Sequence, residues 1–271
     1  MKRLKGLTIG FIGAGTMGQA LIGGLRAQGV PASSILAADA NRHTLHLARR
    51  RFGIRVASGS DQVVRRSDVL VLAVKPQQFP DVISQVRPRL RPGQLVISIA
   101  AGVTLRWLQA RLPKVAIIRV MPNLPATVSA GFSAITLGNT ATPRHRAIAQ
   151  ALFGAVGEVV ELPERYFDAV TAVSGSGPAY VFFLVAMWEQ AARSLGLPPA
   201  VASQAIRQTL AGSSRLLERS GEPASVLIGK VASKGGTTEA ALKVLAKRRV
   251  SAHFIEALRA AARRSKQLSW S

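Results

Sequence analysis

The fold is decided by residues 8–25, which read TIGFIGAGTMGQALIGGL. Residues 7–12 form a short apolar run, as expected of a buried strand. Glycines then follow in the spacing G-x-G-x-x-G, at Gly13, Gly15 and Gly18. Beyond them, apolar and small residues recur at intervals of three and four, which predicts a helix that Gly29 ends.

Between a strand and a helix, this glycine spacing has a physical meaning. The first glycine makes the tight turn, the second lets a pyrophosphate approach the backbone, and the third lets the helix pack closely on the strand. Free N–H groups at the start of the helix then point at the phosphates. The pattern favours a dinucleotide site over the alternative, a strand–turn–helix in which glycine serves packing alone.

The composition indicates a protein of two domains without thiol chemistry. The chain has 271 residues, 48% hydrophobic and 5% aromatic, which is enough for two cores. It has no cysteine, which excludes disulfides and thiolate metal sites. We find no secretory signal and no metal-ligand cluster, and the longest apolar run, residues 179–188, is too short to cross a bilayer. We therefore expect a cytoplasmic protein with no membrane partner and no bound metal.

The net charge of +23 raises nucleic acid as a possible partner. The basic residues, 27 Arg and 9 Lys, are spread along the chain, however, and no zinc-finger, RNP or K-homology pattern accompanies them. We interpret the charge as a solvated surface that attracts an anionic cofactor and substrate, and we expect no specific nucleic-acid partner.

Strands and helices alternate up to residue 163, which predicts an α/β fold, a Rossmann-type doubly wound sheet, for a domain over residues 1–163. The second strand ends at Asp39, twenty-one residues after Gly18. An acid there accepts hydrogen bonds from the adenosine ribose and favours NADH, whereas the nearby Arg42 suits the 2′-phosphate of NADPH. The sequence leaves both cofactors open. Ser60 is predicted to cap a helix over residues 61–66.

Three later strands end in short segments suited to a ligand site. The strand over residues 69–74 ends in Lys75-Pro76-Gln77, the strand over 95–99 in Ala100-Ala101-Gly102, and the strand over 116–120 in Met121-Pro122-Asn123. Ligands of doubly wound sheets bind beyond the carboxyl ends of the strands. These segments therefore predict the wall against which a nicotinamide lies. Thr104 and Thr142 are expected to cap the helices that follow their strands.

From residue 164 onward the pattern is helical, and we predict helices over residues 178–195, 200–217, 224–231, 238–246 and 253–267. Residues 179–188 are apolar nearly all round, so this all-α domain, residues 164–271, is predicted to form a homodimer. The loop SKGGTTE at residues 233–239 predicts an anion site at a helix start, suited to a carboxylate. The alternative is an ordinary N-cap, in which one Thr accepts a backbone hydrogen bond and Glu239 complements the helix dipole.

Residues 231–242, VASKGGTTEAAL, resemble the signature of the pyrroline-5-carboxylate reductase family. Other motifs of that family stand in the same order along nearly the whole chain: FIGAGTMG at residues 11–18, AVKP at 73–76, SIAAG at 98–102, RVMPN at 119–123 and AVSGSGPAY at 172–180. The resemblance implies a Rossmann domain, an all-helical dimerisation domain, and dimers that assemble further into decamers. It also implies hydride transfer from NADPH or NADH to the C=N carbon of 1-pyrroline-5-carboxylate, which gives L-proline.

The resemblance also implies the residues of the site. The cofactor would contact Ile12, Gly13, Ala14, Gly15, Thr16, Met17, Gly18, Asp39, Arg42, Ser60, Val74, Lys75, Pro76, Ala101, Gly102 and Asn123. The substrate would contact Glu164, Ser233, Gly235, Gly236, Thr237 and Thr238, with Thr238 as the catalytic residue near the ring nitrogen. Four positions depart from the family pattern: Lys230 stands where Asn is common, Lys234 where Pro is common, Leu124 where Thr is frequent, and Ser60 where a cofactor-binding Asn is frequent.

The expected chemistry agrees with the absence of histidine from every motif. A protonated imine is already an electrophile, so orientation of the hydride donor and acceptor supplies most of the acceleration. A β-hydroxyacid dehydrogenase is the main competing enzyme class, but its Lys-x-x-x-Asn pair does not occur in this sequence. The motifs also leave open a reductase of another cyclic imine and a nucleotide-sensing protein that has lost catalysis.

Overall fold

The computed structural model describes residues 2–270, which divide into two compact units. The first unit takes the residues up to 176 together with those from 261 onward, and the second takes residues 177–260. Residues 164–176 belong to the first unit because Phe167 is buried there and Glu164 forms an ion pair with Arg119 of the sheet. The domain boundary predicted between residues 163 and 164 differs from these limits of the compact units and stays a prediction.

Short apolar runs build one eight-stranded sheet in the first unit. Its strands are β1 Ile9–Ile12, β2 Ile35–Ala38, β3 Arg55–Val56, β4 Val69–Leu72, β5 Leu95–Ser98, β6 Ala116–Pro122, β7 Gly131–Leu137 and β8 Gly157–Glu161. They lie in the order β3-β2-β1-β4-β5-β6-β7-β8, and only the pair β6–β7 is antiparallel. The predicted α/β doubly wound sheet is confirmed.

Helices cover both faces of this sheet. They are α1 Thr16–Ala27, α2 Arg42–Phe52, α3 Ser60–Arg66, α4 Phe79–Val86, α5 Leu105–Arg111, α6 Pro143–Phe153 and the single turn α7 Phe167–Val170. One core cluster contains Phe11 of β1 with apolar residues of α1 and α6, and the other contains Ile12 with residues of α3, α4 and α5. Successive strand residues point to opposite faces, which explains why β1, β2, β4 and β5 are apolar throughout.

Most helix ends follow from local chemistry. Thr104 and Thr142 accept backbone hydrogen bonds at the starts of α5 and α6, as predicted. Helix α2 starts at Arg42, because the Asn41 side chain accepts hydrogen bonds from the N–H groups of His43 and Thr44. The predicted cap at Ser60 is wrong, since Ser60 is already the first residue of α3 and makes no cap bond.

The second unit consists of helices. They are α8 Gly177–Ser194, α9 Pro199–Ser220, α10 Ala224–Val231, α11 Thr237–Lys247 and α12 Val250–Gln267, the last of which runs back into the first unit. Its own buried cluster is small, made of Ala192, Ala202 and Ile206. Large apolar side chains on α8, such as Phe182 and Phe183, are exposed instead.

One helical stretch passes a composition test for crossing a membrane. Residues Glu164–Ser194 run on as helix with a mean hydropathy of 1.5 over the best window, although the longest unbroken apolar run is short. Only 11% of that window is buried. The helix that packs against a partner in a dimer passes the same test of length and composition, so this finding carries no membrane assignment.

Candidate active site

The three glycines after β1 have the distinct environments that a dinucleotide loop requires. A methyl group at Gly13, where φ is +100°, would lie 2.5 Å from the Ala73 carbonyl oxygen. A methyl group at Gly18 would lie 2.5 Å from the Gly13 carbonyl oxygen, so helix α1 meets the strand closely. Gly15, in contrast, faces open space, and as the N-cap of α1 it supplies no side chain to the first N–H groups. An anion can therefore approach the helix start.

A cleft of about 730 Å³ opens beside this loop, at the carboxyl ends of β1, β2 and β4. Among the residues predicted to bind the cofactor, its lining contains Ile12, Gly13, Gly15, Asp39, Ser60, Val74 and Lys75. Asn41, Thr44 and Ser58 also line it, although the sequence analysis did not select them. The cleft has the size and position of a nucleotide pocket in a doubly wound sheet.

Asp39 is held in place by the backbone around the cleft. Its Oδ2 accepts a hydrogen bond of 2.7 Å from the Ala14 N–H, and its Oδ1 accepts one of 2.8 Å from the Asn41 N–H. The carboxylate therefore joins the glycine loop to the start of α2. Arg42 is exposed at the first position of that helix. Each carboxylate oxygen keeps a second acceptor position for a ribose hydroxyl.

The remaining predicted cofactor residues lie outside the lining of that cleft. Ala14 is buried behind the loop, Met17 packs against the core, and Thr16 lines a neighbouring cavity of about 540 Å³. Pro76 begins a turn of 3-10 helix after Lys75. The structure thus places these residues around the glycine loop and the end of β4 without bringing them into one pocket.

Asn123, at the end of β6, has structural partners on both sides of its amide. Its Nδ2 donates to the Ser174 hydroxyl at 3.1 Å, and its Oδ1 accepts from the Phe132 N–H at 2.8 Å. This side chain joins β6 to β7 and to the turn of π-helix over Thr171–Gly175. Its predicted contact with the cofactor stays a prediction.

Glu164 occupies a junction inside the first unit. Its Oε1 accepts from the Leu105 N–H at 2.8 Å and from the Arg119 guanidinium at 2.7 Å. Arg119 is buried in β6 and stacks on the ring of Phe167, with 4.7 Å between the guanidinium carbon and the ring centroid. The sequence analysis missed this cation, although an arginine within an otherwise apolar strand is a signal that it has a buried partner. The predicted substrate contact of Glu164 stays a prediction.

The loop before α11 in the second unit presents backbone rather than side-chain groups. Gly236 is the N-cap of α11, and no side chain caps the helix, so the alternative of an ordinary threonine cap is wrong. The Gly236 N–H donates to the Ser233 carbonyl at 3.0 Å, and the Gly235 N–H donates to Glu239 Oε2 at 2.7 Å. In the part of the chain that the structure describes, the N–H groups of Thr237 and Thr238 have no acceptor. They are free to meet an anion.

The one residue with a clearly shifted pKa in the described part of the chain is not among the predicted site residues. Burial, and then the charge of Arg144, lower the pKa of His145, which sits in the first turn of α6. Within residues 2–270, no group of three or more His, Asp or Glu side chains is placed to hold a metal ion. The chemistry suggested by the site is therefore anion binding by backbone N–H groups at two helix starts.

Two family models match the chain. One, described as pyrroline-5-carboxylate reductase dimerisation, matches residues 164–268. The other, described as NADP oxidoreductase, coenzyme F420-dependent, matches residues 8–102. The first covers the helical region and the second covers the glycine loop and the strand ends through β5.

Similar proteins span the whole chain. A pyrroline-5-carboxylate reductase of Pseudomonas aeruginosa is 41% identical over 264 residues, which cover 96% of this chain and 96% of that protein. The structure of a pyrroline-5-carboxylate reductase from Coxiella burnetii has a TM-score of 0.92 at 34% identity and covers 98% of this chain and 99% of the other. The Plasmodium falciparum pyrroline carboxylate reductase with NADP bound has a TM-score of 0.88 at 26% identity, with coverages of 98% and 99%.

Proposed function

The chain belongs to the pyrroline-5-carboxylate reductase family, and from this membership we propose how its own residues serve the reaction. The protein is an NAD(P)H-dependent oxidoreductase of proline biosynthesis, which reduces the C=N bond of 1-pyrroline-5-carboxylate to give L-proline. When bound, the nicotinamide cofactor supplies the hydride. What the chain must do is hold the two reactants, exclude water and place the hydrogen-bond donors.

We infer that the cofactor lies in the cleft beside the glycine loop. The observation that supports this is the contrast between Gly15, which faces open space at an uncapped helix start, and Gly13 and Gly18, which are closely packed. The pyrophosphate would rest on the N–H groups at the start of α1. Asp39 would accept from the adenosine ribose, and Arg42 would meet a 2′-phosphate if NADPH binds. Val74 to Pro76 and Ala100 to Gly102 would flank the nicotinamide.

The substrate carboxylate, we infer, binds the loop before α11. The free N–H groups of Thr237 and Thr238, the dipole of an eleven-residue helix and the hydroxyl of Ser233 together suit one carboxylate. Gly235 and Gly236 let the ligand approach the backbone. The exposed Lys234 adds a positive charge beside this loop, which favours an anionic substrate. Glu164 is proposed to take part in substrate binding.

Thr238 is the proposed catalytic residue. Its hydroxyl does not cap α11, so it is available to hydrogen-bond the ring nitrogen of the substrate. The protonated imine donates its N–H to the hydroxyl oxygen and accepts the hydride at carbon. The nitrogen lone pair of the product amine can then accept a hydrogen bond from the same hydroxyl. No strong acid is required, because the substrate already carries the proton.

The test is a steady-state assay of Thr238→Ala beside Thr238→Ser, with the oxidation of NADH and NADPH followed in separate reactions. Thr238→Ala should lower kcat/KM for pyrroline-5-carboxylate by about tenfold to a hundredfold, the usual contribution of one hydrogen bond to a charged group. Thr238→Ser, which keeps the hydroxyl, should recover most of the loss. Equal activity of the wild-type and alanine proteins would remove Thr238 from the mechanism, and the faster cofactor would settle the choice between NADH and NADPH.

We propose that the protein works as a homodimer in the cytoplasm, with dimers able to assemble into a decamer. The support is the family model for dimerisation and the exposed aromatic side chains of α8. We also propose that it has no membrane partner and no specific nucleic-acid partner. Sedimentation of the purified protein in detergent-free buffer tests the oligomeric state and whether the protein needs a membrane-like environment. A protein that is monomeric and stays in solution only with detergent would contradict the homodimer and the absence of a membrane partner.

A further inference from the structure

The segment that follows α12 lies along a loop of the proposed cofactor site. The Trp270 N–H donates to the Gly102 carbonyl at 2.8 Å, and Val103 and Trp270 form a parallel β-bridge. The Thr104 hydroxyl donates to the Trp270 carbonyl at 2.6 Å. This short strand pairing joins residues more than 160 positions apart in sequence. It holds the loop that leads from β5 into α5.

Gly102 shows how closely the two segments meet. A methyl group at this position would lie 2.6 Å from the Leu268 carbonyl oxygen, and the φ of +79° already favours glycine. The glycine is therefore required by the approach of the Leu268 backbone as well as by its own conformation. The same residue was selected from the sequence as a cofactor contact, and the structure adds a second reason for its identity.

The indole of Trp270 extends the contact to the neighbouring strand end. It packs edge-on against Trp107 of α5 with 5.0 Å between ring centroids, and Trp107 packs in the same manner on Phe79 with 6.5 Å. Phe79 opens helix α4, which follows the segment Lys75-Pro76-Gln77 at the end of β4. The aromatic chain thus connects the two loops that are proposed to flank the nicotinamide. Edge-to-face packing of this kind also fixes the orientation of the rings.

We propose that Trp270 is a positioning residue, which holds residues 100–104 in the conformation that receives the nicotinamide ring. The inference rests on the proposed placement of the cofactor in the first unit. Trp270 does not touch the reacting atoms. The packing of its indole on Trp107 keeps its backbone N–H on the Gly102 carbonyl and its carbonyl on the Thr104 hydroxyl. The opposite side of the same loop is held by Glu164, which accepts from the Leu105 N–H. The change Trp270→Ala keeps the backbone groups of residue 270 but removes the packing on Trp107 that holds them against the loop, whereas the Glu164 contact stays.

The test compares the full-length wild-type protein with Trp270→Ala, Trp270→Phe and the control Lys266→Ala. Lys266 is exposed in the last turn of α12, and its side chain has no partner in the loop. NADPH binding is measured by fluorescence titration without the imine, followed by KM for each substrate and the deuterium isotope effect with NADPH labelled at the transferred hydrogen. Melting curves without ligand report any general loss of stability.

Trp270→Ala should weaken NADPH binding and raise its KM by about tenfold, and it should change the isotope effect on kcat, while KM for the imine shifts less than about twofold. Trp270→Phe should recover most of the affinity, and Lys266→Ala should match the wild type. The inference is overturned if Trp270→Ala binds NADPH as the wild type does. It is also overturned if the variant melts at a lower temperature and its KM values for NADPH and for the imine change by the same factor. If the wild type itself binds neither NADPH nor NADH, or does not reduce the imine, the proposed cofactor site or function fails instead, independently of Trp270.

Discussion

The two units of this chain bury their apolar side chains to very different degrees. In the first unit, Phe11, Phe79 and Phe153 are fully buried between a sheet and the helices on its two faces. In the second, the three-residue cluster of Ala192, Ala202 and Ile206 is the buried core, and the aromatic side chains of α8 are exposed. A protein surface rarely leaves such large apolar groups in water unless a partner covers them. The sheet therefore completes its own core, whereas the helices leave an apolar surface uncovered, which supports the proposed homodimer.

The largest expected effect comes from placing a charge on the exposed aromatic face. Phe183 is 65% exposed in the single chain, and we expect Phe183→Glu to break the homodimer at micromolar concentration because an unpaired charge would be buried in the interface. The matched control is Leu47→Glu, since Leu47 lies on α2 of the first unit and is 43% exposed. Sedimentation velocity and activity are measured for both. A dimeric, active Phe183→Glu protein would show that this part of α8 faces solvent in the assembly.

Two glycines of the loop after β1 should affect different properties of the first unit: Gly13 its stability, and Gly15 its affinity for the cofactor. Gly13→Ala should lower the free energy of unfolding by about 2–4 kcal/mol, because the methyl group would both clash with Ala73 and occupy a positive φ. Gly93→Ala is its control, since Gly93 has a positive φ of +85° but open space around it, and we expect a cost of about 1 kcal/mol. Urea unfolding measures both.

Gly15→Ala should leave the free energy of unfolding within about 0.5 kcal/mol of the wild type, because Gly15 has an ordinary negative φ and open space. The methyl group would instead stand where the pyrophosphate approaches, so NADPH affinity should fall by about tenfold or more. Titration of the folded variant checks this. Unchanged NADPH affinity would mean that the cofactor does not rest on this loop.

The two units also differ in how much an ion pair is expected to stabilise them, because the arginine of the pair in the first unit is buried and the lysine of the pair in the second is exposed. Glu164→Gln leaves the buried Arg119 guanidinium without its charged partner, and we expect a loss of about 1–3 kcal/mol in the free energy of unfolding. In the second unit, Lys230 and Glu222 pair at 2.7 Å with the lysine side chain 60% exposed. Lys230→Met should cost less than about 1 kcal/mol, since water screens the pair. Similar losses in both variants would show that the Arg119 site is more hydrated than its burial suggests.

Local features of the fold could be predicted, because each is decided within a few residues. The strand–turn–helix around Gly13, the caps at Thr104 and Thr142, and helix α10 with its observed bounds all follow from nearby sequence. The contacts of the site could not, since they join distant residues. Neither the hydrogen bond from Ala14 to Asp39 nor the pairing of Trp270 with Gly102 leaves a periodic signal. The buried Arg119 was visible as a residue type, but its partner Glu164 was not.

The smallest expected effect concerns the first turn of α6, where a histidine takes the place usually held by Glu or Gln in a capping box. The Thr142 N–H donates to His145 Nδ1 at 3.2 Å, which requires a ring nitrogen without a proton. Burial and Arg144 lower the pKa of His145 in the folded protein, so the unfolded chain takes up a proton first as the pH falls. This contribution to stability is therefore present above the ordinary histidine pKa of about 6.5 and is lost below it.

Melting curves of the wild type and His145→Gln should consequently diverge with pH. Glutamine can accept the same hydrogen bond without titrating, so between pH 7.5 and 5.5 (buffer settings) the wild type should lose about 1–2 °C more in Tm than the variant. Adding salt should reduce the part of the difference that comes from Arg144, because that interaction is screened, and leave the part that comes from burial. A parallel pH dependence in the two proteins would place the proton uptake elsewhere in the chain. Because His145 is not among the residues proposed to bind the cofactor or the substrate, this change in stability should leave KM for the cofactor and for the imine the same in the two proteins at pH values where both remain folded.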